Sequence, residues 1–295
     1  MSHPAPRFLV PLATRDERSW PGFDIAEQRA QALRAAELGG FAGVVAADDL
    51  GGDEASVVAY DALRASRWLE VVQELPISRG NPVYAAKQAA SAQRFFDGRL
   101  GWQLVVDEPG PSQTTPPART RAERYARATE FLTVARGVWH DTEFTFEGRY
   151  HQVVGGGFRE ALADLPFPRL HLTGSSDEAL ALSARYADVH LFDDLDTALA
   201  HGPALRAAAG DRPLEIGVAL RVVAREHRPE VPRTIDPRTA LVGTYDELAE
   251  RLAELVAAGI TTYLLDAHPR IEETYRIAEH LLPRVRDLTP AGGAR

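Results

Sequence analysis

The chain has no cysteine, one methionine and one lysine, Lys87, and each shortage removes a class of chemistry. Without cysteine there can be no disulfide, thiolate-bound zinc, iron–sulfur cluster or cysteine nucleophile. Lys87 sits in an Ala/Gln-rich helical stretch, a poor position for Schiff-base work. No apolar run approaches the ~20 residues that span a bilayer. The start, Met1-Ser2-His3-Pro4, lacks the charged-then-apolar form of a secretory signal, so a cytoplasmic protein is expected. HExxH, Gly-x-Ser-x-Gly, Walker and EF-hand patterns are missing, as is any repeat of solenoid period.

What remains is a chain of ordinary globular composition. Its 295 residues are 45% hydrophobic and 25% charged, enough for one large α/β domain or two of ~150 residues. Thirty-three basic residues against 42 acidic ones leave a net charge of −9, which repels nucleic acid and anionic membrane as a whole.

The organising signal is alternation. Eight short apolar runs, at 7–12, 41–47, 68–75, 100–106, 170–173, 188–192, 214–224 and 260–265, read as buried parallel strands separated by helices. One helix shows Ala26, Ala30, Leu33 and Ala36 before a Gly39-Gly40 stop. Another carries a Thr244/Glu247 capping box, a Leu248, Leu252, Leu255 stripe and a Gly259 stop. Eight strand–helix units in this length predict an α/β fold of the (β/α)8 TIM-barrel kind, one domain over 1–295. Irregular stretches at 109–120 and 140–168, the second with a hairpin of 143–146 and 150–154, are expected to overhang the mouth. A third, Pro-rich stretch spans 227–237.

In such a barrel the carboxyl ends of the strands carry the chemistry. Here they are acidic: Asp48 and Asp49, Glu74, Asp107 and Glu108, Asp193 and Asp194, then Asp266 with His268. Such a ring reads either as a solvated rim or as a site for a cation, a divalent metal or acid/base work. Thr173-Gly174-Ser175-Ser176 runs from a strand into a helix, whose free N–H groups suit a phosphate; Ser175 with Glu178 also reads as a capping box. His171 and His190 fall inside strands and read as satisfied interior residues.

The order of several short segments resembles the luciferase-like flavin-dependent monooxygenases, most closely their alkanesulfonate monooxygenase branch, over nearly the whole chain. The segments include Gly40-Phe41-Ala42-Gly43-Val44-Val45, Gly98-Arg99-Leu100-Gly101-Trp102-Gln103, Glu123-Arg124-Tyr125, Phe146-Glu147-Gly148-Arg149-Tyr150 and Gly174-Ser175-Ser176. Leu241-Val242-Gly243 and the stretch from His268-Pro269-Arg270 to Arg276 complete the order. The resemblance implies a barrel that takes reduced FMN from a separate flavin reductase, or coenzyme F420 in sister branches, and uses oxygen on a small molecule. It implies a homodimer, and a flavin site at Tyr125, Gly174, Ser175 and Ser176 with Val106 and Asp107 beside it.

Departures from that branch are equally informative. Gly52 stands at its cysteine, Ala219 and Arg221 at its Arg-x-His, and Ala267-His268-Pro269 at its Gly-Tyr-Pro. Only Asp16 persists of its His-Gly-Asp, and the segment after the seventh strand is short. The expectation is a monooxygenase with His268, Asp266 and Arg221 as catalytic residues. Asp48, Asp49, Glu74 and Asp194 would hold a cationic or neutral metabolite, with no metal. A non-catalytic flavin-binding or scaffolding member partnering an active subunit is the alternative, and a metal-dependent lyase or hydrolase a third.

Overall fold

A computed structural model describes residues 5–15, 22–107, 120–158, 164–230 and 240–289. The elements are β1 (Arg7–Pro11), α1 (Ile25–Leu38), β2 (Gly43–Ala46), α2 (Ala55–Ala65), β3 (Glu70–Pro76), α3 (Pro82–Phe95), β4 (Leu100–Val105) and α4 (Arg121–His140). After these come β5 (Phe144–Glu147), β6 (Gln152–Gly156), β7 (Arg169–Thr173), α5 (Asp177–Tyr186), β8 (Val189–Phe192), α6 (Leu195–Ala208) and β9 (Glu215–Arg225). The last are β10 (Ala240–Thr244), α7 (Tyr245–Ala257), β11 (Ile260–Asp266), α8 (Arg270–Arg276) and α9 (Leu282–Leu288). Eight parallel strands, β1-β2-β3-β4-β7-β8-β9-β11, close on themselves through the β8–β9, β9–β11 and β11–β1 pairings, giving the expected (β/α)8 barrel.

Local chemistry starts the helices where the topology needs them. Asp24 with Glu27, Thr120 with Glu123 and Thr244 with Glu247 form capping boxes, and Asn81 caps α3 ahead of Pro82. The α7 stripe of Leu248, Leu252 and Leu255 is buried as patterned, and Gly259, at φ +92°, releases the chain into β11. Two details differ from the pattern. In α1 the buried face is Gln28, Ala32, Leu33, Ala35 and Ala36, leaving Ala26 and Ala30 exposed, because alanine marks a helix face only weakly. The cap of α5 is Ser176, which accepts from the Ala179 N–H, in place of a Ser175/Glu178 box.

The hairpin β5–β6 forms with the expected antiparallel pairing, and Arg149 of its turn pairs with Glu123 in the first turn of α4 at 3.1 Å. It follows α4, and Phe144 packs where a side chain at Gly137 would stand, so the hairpin lies against the flank of that helix. Residues 109–119 and 231–237 of the other two irregular stretches lie outside the described residues. A ninth strand, β10, adds parallel to the upper half of β9, from Arg221 to Arg225.

The main core fills the space between barrel and helices, around Trp102, Trp139, Phe131 and Leu132. Inside the barrel a small apolar layer of Leu9, Val45 and Val72 covers one side only. Below it, ion pairs close the base: Arg7 with Glu70, and Arg169 with Glu215 at 2.6 Å. His171 Nε2 meets Glu70 Oε1 at 3.2 Å, and the Thr262 hydroxyl donates to Glu215 at 2.8 Å.

Candidate active site

The mouth holds a cavity of about 780 Å³ bounded by the ends of β2, β3, β4, β7 and β8 and by the first turns of α4, within the usual range for small-molecule sites. Of the residues singled out from sequence, Asp48, Asp49, Glu74, Val106, Asp107, Tyr125, Gly174, Ser175 and Ser176 line it. Asp193 lines it in place of Asp194, whose carboxylate caps α6 by accepting from the N–H (2.8 Å) and hydroxyl (2.7 Å) of Thr197. Those bonds hold Asp194 below the ordinary carboxylate range.

Arg221, Asp266 and His268 stand outside this lining, on the β9–β11 side of the barrel. Arg221 and Asp266 are register partners, and His268 Nε2 approaches Asp266 Oδ1 at 3.3 Å. Arg270 bridges Asp266 (3.2 Å) and the carbonyl of Pro11 (3.0 Å), tying this cluster to β1. Asp16 and Glu108 fall outside the described residues.

The acidity of the rim is largely answered by arginines that sequence reading passed over. Arg79 pairs with Asp48, Arg15 holds Asp49 through two nitrogens at 2.5 and 2.6 Å, and Arg124 clasps Asp107. The Arg15 fork and the Gly51 N–H push the Asp49 carboxyl well below its usual range. Arginine supplies all but one of the 33 basic residues, so no single arginine stood out. The cavity is therefore close to charge-balanced, and its acidity gives little preference for a cation.

Glu74 differs from Asp48, Asp49 and Asp107 in having no cationic partner among the described ion pairs. Its Oε2 accepts from the Asp48 N–H at 2.8 Å and its Oε1 from the Gln103 amide at 2.7 Å. Burial pushes it above the ordinary carboxylate range, and the Asp48 charge adds to that. It is the group in this cavity best suited to hold a proton near neutral pH.

At the other end lies an anion cradle. Gly174, at φ +104°, leaves room that a Cβ would fill to within 3.4 Å of the Tyr125 hydroxyl and 3.2 Å of Ala179 Cβ. Ser175 and Ser176 follow at the start of the ten-residue α5, and Arg121 lines the same cavity. Backbone donors, helix dipole, two hydroxyls, a phenol and a guanidinium thus converge. The Asp107 carboxylate, which would oppose an anion, is engaged by Arg124 and by the Tyr125 hydroxyl at 3.0 Å. These residues fit the phosphate of a flavin mononucleotide.

Residues 8–236 match the family model of the luciferase-like monooxygenases. The chain belongs to that family. Among similar solved structures is riboflavin lyase RcaE with modified FMN and riboflavin, at 17% identity and TM-score 0.83, covering 98% of this chain and 93% of that one. EDTA monooxygenase EmoA from Chelativorans sp. BNC1 aligns at 16% identity and TM-score 0.82, covering 99% and 96%. The coenzyme F420-dependent tetrahydromethanopterin reductase from Methanopyrus kandleri aligns at 11% and 0.78, covering 95% and 99%. These likenesses establish the fold. Among the described residues no helix is long and apolar enough to cross a membrane, and no cluster of three His, Asp or Glu is arranged to hold a metal ion.

Proposed function

We propose that this chain is a flavin-dependent monooxygenase acting on a small, predominantly neutral metabolite, with reduced FMN supplied by a separate reductase in the cytoplasm. The observation that carries the proposal is the anion cradle at one end of a cavity whose other end holds a half-buried carboxyl without a cationic partner, Glu74. Bound FMN would supply the oxygen-activating chemistry. Tyr125, Gly174, Ser175, Ser176 and Arg121 would hold its phosphate, Val106 would flank it, and Arg124 would keep Asp107 from repelling it. Glu74 would hold or release a proton at Oε1 on the cavity floor, fixed in place by the Asp48 N–H and Gln103.

Asp48 and Asp49 shape the rim through their arginines in this reading. Arg221, Asp266 and His268, across the mouth, would act on substrate entry or on a ring extending over β11. The balanced ion pairs of the rim favour a neutral substrate over a cationic one. Desulfonation, the reaction of the branch resembled most, is not part of the proposal. A homodimer is included because Val57 on α2 and Tyr84 and Phe95 on α3 are large and exposed.

F420 is the alternative cofactor, supported by the F420-dependent neighbour above, and the same cradle would serve its phosphate. The deciding experiment is an anaerobic titration of the purified protein with oxidised and photoreduced FMN, then rapid mixing with oxygen. Preferential binding of reduced FMN, and a transient spectrum unlike either flavin form, are expected. Binding of F420 alone would redirect the proposal to hydride transfer. Failure of both would favour a scaffolding barrel.

A further inference from the structure

Beneath the cavity, Gln103 Oε1 and His171 Nδ1 are fully buried with no hydrogen-bond partner, as are Arg7 Nε and Arg169 Nε at the base. Gln103 and His171 are register partners on the adjacent strands β4 and β7. Gln103 already donates to Glu74 above, and His171 already meets Glu70 below. The four side chains form a column from the cavity floor to the charged base, broken at one step. A neutral His171 with its proton on Nε2 toward Glu70 presents an acceptor at Nδ1, and its register partner Gln103 offers the acceptor Oε1; two acceptors cannot bond. One more proton completes the column, on His171 with the amide as it stands or on Glu74 with the amide reversed.

We propose that Glu74 and His171 share a single proton through Gln103, so that the cavity floor can present either a carboxylic acid or a carboxylate. In one arrangement Glu74 is ionised and accepts from the Gln103 amide, while His171 carries two protons, donating from Nδ1 to Gln103 Oε1 and from Nε2 to Glu70. In the other, Glu74 holds the proton and donates it to Gln103 Oε1. The Gln103 amide, turned over, then donates to Nδ1 of a neutral His171. The number of protons is the same in both: the O–H bond of Glu74 breaks as the Nδ1–H bond of His171 forms, the proton being carried by a water of the cavity while the Gln103 amide turns over.

The surrounding charges suit this exchange. Arg7 from β1 and Arg169 from β7 flank Glu70, and Glu215 from β9 balances both arginines, so the negative charge below His171 stays put. Burial works against that charge, yet His171, Arg7 and Arg169 outweigh it and hold Glu70 below its usual range. Above, Asp48, paired with Arg79, is the charged neighbour of Glu74 and favours its protonated form. Gly101 makes room for the column, since a Cβ there would lie 2.8 Å from Glu70 Oε1.

The couple involves only residues of this chain and does not depend on flavin binding, so its test uses the protein alone. Histidine ring nitrogens are followed by ¹⁵N NMR across pH in the parent, E74Q, Q103L and the double variant. In E74Q, where residue 74 can no longer take the proton or favour the imidazolium, the proton affinity of His171 should fall about tenfold, one pH unit. In the Q103L background the further change E74Q should have no effect, since the link is already cut. Identical His171 titration in parent and E74Q, or an E74Q effect undiminished by Q103L, would overturn the proposal. If Q103L does not fold, Q103M, of nearly the same volume, replaces it in the cycle.

Discussion

The Tyr125 hydroxyl donates to Asp107 Oδ2 at 3.0 Å, joining the first turns of α4 to the end of β4 beside the Gly174 turn. Burial and the Asp107 charge hold the phenol above its usual range, so it remains a donor at any working pH. Tyr125→Phe takes from Asp107 the proton that the phenol gives it and leaves that charge less answered beside the cradle, so FMN should bind roughly 5–10-fold more weakly, the worth of about 1 kcal/mol. Riboflavin, which lacks the phosphate, should bind the variant and the parent alike. Equal loss for both ligands would remove Tyr125 from phosphate recognition.

Asp107 gives the opposite expectation. Its carboxylate is the one negative group within the cradle, so Asp107→Asn should tighten FMN binding. The gain should shrink as salt rises, because a Coulombic repulsion is screened over ~10 Å at about 0.1 M salt. Fluorescence titrations at two ionic strengths would settle the sign.

At the rim, Asp48→Asn and Asp49→Asn each release an arginine, Arg79 and Arg15 respectively. Binding of a cationic test ligand should change little, whereas an anionic one should bind better. A large loss of cation affinity would restore the acidic rim as a recognition surface.

His190, on β8, has Nδ1 2.8 Å from the Ser183 hydroxyl, and burial lowers it from the usual range of histidine to about 4. Above about pH 6.5 it is neutral in both folded and unfolded chains and costs nothing. As pH falls toward 4 the unfolded chain takes up a proton that the fold refuses, and stability drops by on the order of 3 kcal/mol. Urea unfolding at about pH 7 and about pH 4.5 should show a smaller drop for His190→Gln than for the parent. An equal drop would mean that His190 accepts its proton in the folded state.

Gly101→Ala tests the interior packing. The added methyl meets the Glu70 carboxylate and the Arg169 carbonyl, and overpacking of this kind costs about 1–3 kcal/mol. Urea unfolding at neutral pH measures it, and an unchanged midpoint would show that Glu70 can move aside.

The barrel was legible because buried parallel strands leave short apolar runs that helix caps punctuate, and all eight runs became barrel strands. β10 escaped because its Ala240-Leu241-Val242-Gly243-Thr244 runs straight into the cap of α7, and Thr244 was read only as that cap. The strand-end residues were legible as a set, since every strand of a parallel barrel points its carboxyl end to one face. Their division was not. That Glu74 and Tyr125 share a cavity while Asp266 and His268 do not depends on which strands are neighbours around the ring. The partners Arg79, Arg15 and Arg124 depend on contacts between loops that no periodicity encodes.

The base of the barrel has a consequence for how the chain could be divided. Arg7 and Glu70 both come from the strands before α4, and Arg169 and Glu215 both from those after it. A cut between β4 and α4 would thus yield two fragments that each carry their own internal ion pair. The contacts of His171 with Glu70 and of Arg7 with Glu215, at 3.2 and 4.0 Å, cross the seam at this level, and the charge of Arg169 also acts on Glu70 across it. Each piece would keep its own ion pair, and the charges that cross the seam are of opposite sign, so separately expressed halves should attract and reassemble where they meet.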